Sequence, residues 1–221
     1  MAFLLPDRRE LARVVRRFFN QRYTNYPTDH ILTKSVYLDD LEGNNIEIYT
    51  ESPEDGTFGV ENGNIVARRT NGSLSDGREP MDLDKLFSHL SGEDRLTAPM
   101  PSETKIGHVH LFVANLNATR HFYHDLLGMD DMGVARAFRM GMVSAGGYHH
   151  HIGYNTWQGE GAPPSPPNSL GMRYFSFYLP NPTELERMAE HMLQIGVTFE
   201  RREEGLFIRD PSQIGLLLIA Q

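Results

Sequence analysis

The sequence predicts an α+β fold of curved, mixed β-sheets assembled from repeated strand–helix–hairpin modules, and three observations predict it. Phe3-Leu4-Leu5-Pro6 followed by Glu10-Leu11 recurs as Phe177-Tyr178-Leu179-Pro180 followed by Glu184-Leu185, at a constant offset of 174 residues. Each copy also closes on a hairpin, the segment from Tyr37 to Glu47 matching the segment from Phe207 to Leu217. Between the copies, Ile106 to Val113 alternates along a strand period and gives way at Asn115, a helix-capping residue, to a helical pattern.

The elements follow in order. Ala2 to Leu5 reads as a short strand ended by Pro6. Asp7 and Glu10 stand at the N-cap and capping-box positions of a helix whose Leu11, Val14, Val15 and Phe18 fall at helical spacing. The helix gives way between Asn20 and Tyr26, and Pro27 excludes its continuation. Val36 to Leu38 and Ile46 to Tyr49 then flank a turn at Gly43, Asn44 and Asn45. From 53 to 104 glycine, serine and charge dominate, broken by a hairpin-like run from Asn64 to Arg68 and a weak helix from Leu83 to Leu90. This is the composition of a connecting segment laid over the fold.

Beyond the alternating strand, a helix runs through Arg120, Tyr123 and Leu127 to a stop at Gly128. Arg139 to Ala145 and Tyr148 to Tyr154 read as strands, and the four prolines between Gly159 and Ser169 mark a loop. Met172 to Leu179 is a strand, Pro182 to Ile195 a helix closed at Gly196, and Thr198 to Glu200, Leu206 to Arg209 and Leu216 to Ile219 complete the strands. The organisation expected is a half-domain over 1–52, a connecting segment over 53–104 and a complete two-module barrel over 105–221.

Composition narrows the chemistry. The 221 residues are 39% hydrophobic and 23% charged, enough for a real core. With no cysteine, thiolate catalysis and cysteine-held metals are excluded, so any metal must use His, Asp or Glu. A net charge of −8 argues against a nucleic-acid partner, and the basic residues between Arg8 and Arg22 are spaced like the solvated face of a helix. The longest apolar run, Leu216 to Ala220, is strand-sized, and the N-terminus lacks the pattern of a secretory signal. No membrane partner and a cytoplasmic location are expected.

Ile106-Gly107-His108-Val109-His110-Leu111, with Arg120-His121-Phe122-Tyr123-His124-Asp125-Leu126-Leu127-Gly128, resembles the opening of a βαβββ module of the vicinal-oxygen-chelate superfamily, which groups glyoxalases, bleomycin-resistance proteins and extradiol dioxygenases. Gly146-Gly147-Tyr148-His149-His150-His151-Ile152-Gly153-Tyr154-Asn155-Thr156-Trp157 resembles the closing strand of bacterial catechol 2,3-dioxygenase-like proteins. Such proteins carry four modules in two barrels. The resemblance implies that 1–52 is the second module, 105 to about 160 the third and 170–221 the fourth, the first being absent.

The resemblance implies an extradiol ring-cleavage dioxygenase relative that acts on a small, catechol-like aromatic substrate. It also implies Fe(II) or Mn(II) held by two His and one carboxylate with open positions beside them. Glu47 matches the family's carboxylate ligand, Tyr37 an auxiliary tyrosine and His30 the neighbourhood of an acid–base histidine. The two His partners of Glu47 would lie in the absent stretch. In the fourth module Leu217 stands where Glu47 stands in the second, and Phe207 where Tyr37 does, so the usual carboxylate is missing there. The third module offers His108 at the first-strand ligand position, His110 on the same face by the strand period, and His149 with His151 on one face of the closing strand.

Plainer readings stand beside these. The third-module histidines can instead shape an organic-ligand pocket or bond within the barrel. Glu47 can be an acid on the outer face of an edge strand, His30 a turn residue and Tyr37 ordinary strand packing. The alternative function is a non-catalytic module that binds a small aromatic ligand. The exposed sheet face of the half-domain is expected to pair with a second subunit, giving a homodimer or other homo-oligomer.

Overall fold

A computed structural model describes the chain from Met1 to Gln221. The N-terminal module opens with β1 (Ala2–Leu4) and α1 (Arg8–Gln21). Asp7 caps the helix, its carboxylate accepting from the Glu10 N–H at 2.9 Å. Glu10 does not reach back to complete a capping box; its carboxylate takes the Arg13 guanidinium instead. β2 (Tyr26–Asp29), β3 (Thr33–Asp39) and β4 (Asn45–Glu51) follow. The sequence marked Pro27 only as a helix stop, yet it lies inside β2. Proline is tolerated there because β2 is near the sheet margin, where the next strand joins it only at Thr28 and Asp29.

The connecting segment is more ordered than its composition suggests. β5 (Gly56–Glu61), β6 (Asn64–Arg69) and β7 (Leu74–Ser75) form a small sheet of their own, β8 (Glu79–Pro80) extends the main sheet, and α2 (Leu83–Phe87) packs on α1. Then come β9 (Lys105–Phe112), α3 (Leu116–Arg120), β10 (Asp130–Ala135), β11 (Met140–Ser144) and β12 (Ile152–Asn155). The helix expected up to Leu127 is α-helical only to Arg120 and continues as a π-helical turn, His121–Leu126. β10 gave no sequence signal, because Asp130, Asp131 and Gly133 break the alternation that marks a strand. β12 is shorter than expected. Gly146 and Gly147, at φ of 64° and 78°, turn the chain, and regular pairing resumes only at Ile152.

The last module comprises β13 (Tyr174–Leu179), α4 (Pro182–Gln194), β14 (Glu200–Arg201), β15 (Leu206–Arg209) and β16 (Gly215–Ala220). The internal repeat is written into the register. Glu47 lies beside Ala2 on one side and Tyr37 on the other, and Leu217 lies likewise between Ser176 and Phe207. No helix is long and apolar enough to cross a membrane.

Nine strands form one curved sheet in the order β10-β11-β12-β9-β1-β4-β3-β2-β8, while β13-β16-β15-β14 form a second. β1 runs parallel to β4 and antiparallel to β9, so the N-terminal and third modules are continuous within one chain. One core lies under α1, where Leu11, Val14 and Val15 meet Leu5, Val36 and Ile48. A larger one joins the third and fourth modules, bringing Val109, Leu111, Phe122 and Ile152 against Ala189, Met192, Leu206 and Leu216.

A largely buried ion cluster ties the N-terminal module to the connecting segment. Lys34, 7% exposed, reaches Asp29 at 2.7 Å, Asp55 at 2.8 Å and the Ile31 carbonyl at 2.9 Å, and Arg8 also meets Asp55 at 2.6 Å. Burial alone would raise the Asp55 pKa, but Lys34 and Arg8 outweigh it and hold the carboxyl below its ordinary value. Lys34→Met leaves Asp29 without its cation and Asp55 with Arg8 alone, and is expected to cost about 2 kcal/mol in urea denaturation near neutral pH. Asp55 contributes stability above its unfolded pKa of about 4, and that contribution is lost as pH falls through its lower folded value. The variant should therefore show a flatter acid limb, and an unchanged profile would remove Lys34 from this role.

Candidate metal centre

β4 and β9 flank β1, and Glu47 and His108 project to the same side of this three-strand strip. Glu47 is opposite Ala2 in β1, and His108 is opposite Ala2 from the other edge, so only a small residue separates them. The His108 Nε2–H donates to Glu47 Oε2 at 3.0 Å, and the Ser35 hydroxyl donates to Glu47 Oε1 at 2.7 Å. Burial pushes the Glu47 carboxyl up, but His108, His30 and Ser35 together outweigh it and bring its pKa down to about 2. It is a buried carboxylate, its side chain 13% exposed, held in the anionic form that a cation needs.

The turn after β11 brings two more imidazoles. The His150 ring lies 4.2 Å from that of His108 and 4.6 Å from that of His149, centroid to centroid. One ring nitrogen from each of His108, His149 and His150 falls within 4.8 Å of the others. Donors on one ion lie at most about 4.2 Å apart, twice a metal–nitrogen bond of about 2.1 Å, so closure needs about half an ångström at most. His150 Nδ1 is buried without any hydrogen-bond partner, a lone pair that a buried site does not leave idle at no cost. Burial lowers the His149 pKa to about 4 and drives His150 well below the ordinary histidine value, which keeps both rings neutral and able to ligate. The donor set therefore fits a divalent ion.

Two hydrogen-bonded pairs, Tyr49–Tyr148 and Tyr37–His30, frame the cluster. Tyr49, two residues beyond Glu47 on β4 and fully buried, meets the Tyr148 hydroxyl at 2.5 Å and so ties the histidine turn to the N-terminal module. Its phenol fits only because residue 107 is glycine. A Cβ there would stand 1.9 Å from the Tyr49 hydroxyl. On the other side, Tyr37 donates to His30 Nε2 at 2.8 Å, while the His30 Nδ1–H donates to the Gly77 carbonyl. That second bond fixes the tautomer and leaves Nε2 as the acceptor. Burial lowers the His30 pKa, and burial with the nearby Glu47 charge raises that of Tyr37.

Residues 105–215 match the model of the Glyoxalase/Bleomycin resistance protein/Dioxygenase superfamily. Catechol-2,3-dioxygenase of Bacillus subtilis strain 168 is 36% identical over 210 residues, which are 95% of this chain and 70% of that protein. The chain belongs to this superfamily. Its fold is shared with a solved Bacillus subtilis protein provisionally described as a dioxygenase, at a TM-score of 0.59 and 12% identity over 99% of this chain and 60% of that one. A lactoylglutathione lyase from Agrobacterium tumefaciens matches 54% of this chain and 94% of its own at a TM-score of 0.41 and 19% identity.

As a dioxygenase-family relative, the chain draws its candidate centre from two modules at once. Of the residues singled out in the sequence, His108 and His149 come together and Glu47 meets His108, with Tyr37 opposite Glu47 and His30 bonded to Tyr37. His110 and His151 stand elsewhere. His110 packs on Trp157 with ring centroids 5.3 Å apart, over Gly153, where a Cβ would come within 3.1 Å of its ring. The His151 Nδ1 accepts from the Ser144 hydroxyl at 3.0 Å and the Ala145 N–H at 3.2 Å, closing the turn. His150 takes the place expected of His151. The sequence held the signal, three consecutive histidines, but a strand period assigned the middle one to the opposite face, and the segment is a turn.

Proposed function

We propose that this chain is an extradiol-type dioxygenase relative acting on catecholic aromatics with Fe(II) or Mn(II), held by Glu47, His108, His149 and His150. The observation that carries the reading is the Glu47–His108 pair beside two more imidazoles, with His150 Nδ1 left unpartnered. The curated relative's name supports the same chemistry. A bound ion of this kind would supply a Lewis acid that chelates the two catechol oxygens and a redox partner for dioxygen.

The remaining residues supply position and proton handling. As Tyr37 Oη accepts the proton of a catechol hydroxyl, its own proton passes to His30 Nε2, which the Gly77 carbonyl keeps free to receive it. Ser35 holds the far oxygen of Glu47 and fixes which oxygen faces His108. Tyr49 and Tyr148 hold the turn that carries His149 and His150. The cluster opens on a cleft of 2610 Å³ running along β9 to β13 and β15, whose walls include Phe112, Trp157, Tyr174 and Phe207. Aromatic walls of this kind suit a flat ring.

Protein reconstituted anaerobically with Fe(II) or Mn(II) and then given catechol and air should consume oxygen in proportion to catechol, with ring-fission product absorbance rising in step. His30→Ala should lower the rate by about a hundredfold or more while metal content stays at the wild-type level. Stoichiometric metal with no oxygen uptake would overturn the enzymatic reading and leave a binding module.

A further inference from the structure

The cleft inverts the charge of the chain that encloses it. The sequence carries a net charge of −8, yet the cleft walls contain Arg78, Lys105, Arg173, Arg202 and Arg209 against only Asp40 and Glu47. Glu47 is already engaged by His108, and Asp40 by the backbone and amide of Asn44. Of the five cations only Arg202 is paired with a carboxylate, Glu200 at 2.9 Å. An uncompensated positive wall on an acidic protein focuses an attractive field on anions entering the cleft.

Arg78 is tied to the candidate centre through its chain neighbour. It follows Gly77, whose carbonyl accepts from His30, so its backbone is hydrogen-bonded into the proton-handling pair. Its guanidinium lies 4.4 Å from the centre of the Phe138 ring, spanning from the connecting segment to the third module. It makes no ion pair, and it lines the cleft together with His30, Tyr37 and His110, which come from three different strands or their ends. A guanidinium over an aromatic face and without an ion pair has N–H groups left for an anion.

We propose that the cleft selects catechols bearing an anionic substituent, and that Arg78 receives the carboxylate of such a ring. The proposal rests on the catechol reading above and adds the substrate's charge to it. Arg78 is placed to act on binding, so its effect is read in ligand affinity.

The test uses the single tryptophan, Trp157, which lines the cleft and reports binding by fluorescence quenching without turnover. Titrations of the Mn(II)-loaded protein with 3,4-dihydroxybenzoate, catechol and benzoate, kept anaerobic, separate ring, hydroxyls and charge. Wild type should bind 3,4-dihydroxybenzoate about tenfold more tightly than catechol, Arg78→Gln should abolish that preference, and Arg78→Lys should keep part of it. Equal affinity for the two catechols in wild type, or a preference untouched by Arg78→Gln, would overturn the proposal and leave the catechol reading intact. Benzoate bound as tightly as 3,4-dihydroxybenzoate, with both weakened by Arg78→Gln, would support the anion site and overturn the catechol reading.

Discussion

Glu47→Gln is expected to weaken Mn(II) binding by about a hundredfold or more, the largest functional effect of any single change in this chain. The substitution keeps the shape of the side chain and its bond from Ser35, but removes the carboxylate that His108 meets at 3.0 Å. A neutral amide cannot balance the charge of a divalent ion in a site this buried. Equilibrium dialysis under anaerobic conditions measures the loss directly. Wild-type affinity in Glu47→Gln would mean that the imidazoles hold the ion alone and that Glu47 serves only to orient His108.

Gly107→Ala is expected to have the largest structural effect. Its methyl group would enter the space of the Tyr49 hydroxyl, and Tyr49 has no room to retreat: it is fully buried and already bonded to Tyr148. Overpacking of this kind costs about 1–3 kcal/mol, and the strain falls on the contact that ties the His149–His150 turn to β4. Thermal denaturation should show a lower midpoint, and the Mn(II) affinity should drop with it. Tyr49→Phe removes only the hydroxyl, so it should spare most of the stability while still loosening the metal. Unchanged metal affinity in both variants would show that the turn holds its shape without the tyrosine pair.

What the sequence disclosed and what it hid have different physical origins. The repeat was legible because a module's first strand and last hairpin must meet in one register to bury a common face. Tyr37 opposite Glu47 and Phe207 opposite Leu217 are the same pairing made twice. Glu47 and His108 stood out by motif, and each lies on a regular strand where a period of two is a sound guide. His149 to His151 misled because that guide was carried into a turn, where Gly146 and Gly147 redirect every following side chain.

The long-range partners were hidden for another reason. Nothing local shows that β1 will lie between β4 and β9, since strand edges carry the same backbone donors and acceptors whatever their sequence. Within the chain β9 takes the edge of β1 that the sequence left unassigned. The same pairing places a third-module histidine beside a second-module carboxylate. Gly107 and Tyr148 are silent in sequence because their roles exist only once those two modules meet.

The measurement that bears most directly on the central claim is anomalous diffraction from crystals soaked anaerobically in Mn(II), with data at the manganese edge. A single strong peak within about 2.3 Å of Glu47 and of ring nitrogens from His108, His149 and His150 is the expected result. A peak at His110 or His151 with none beside Glu47, or no peak at a saturating Mn(II) concentration, would contradict it.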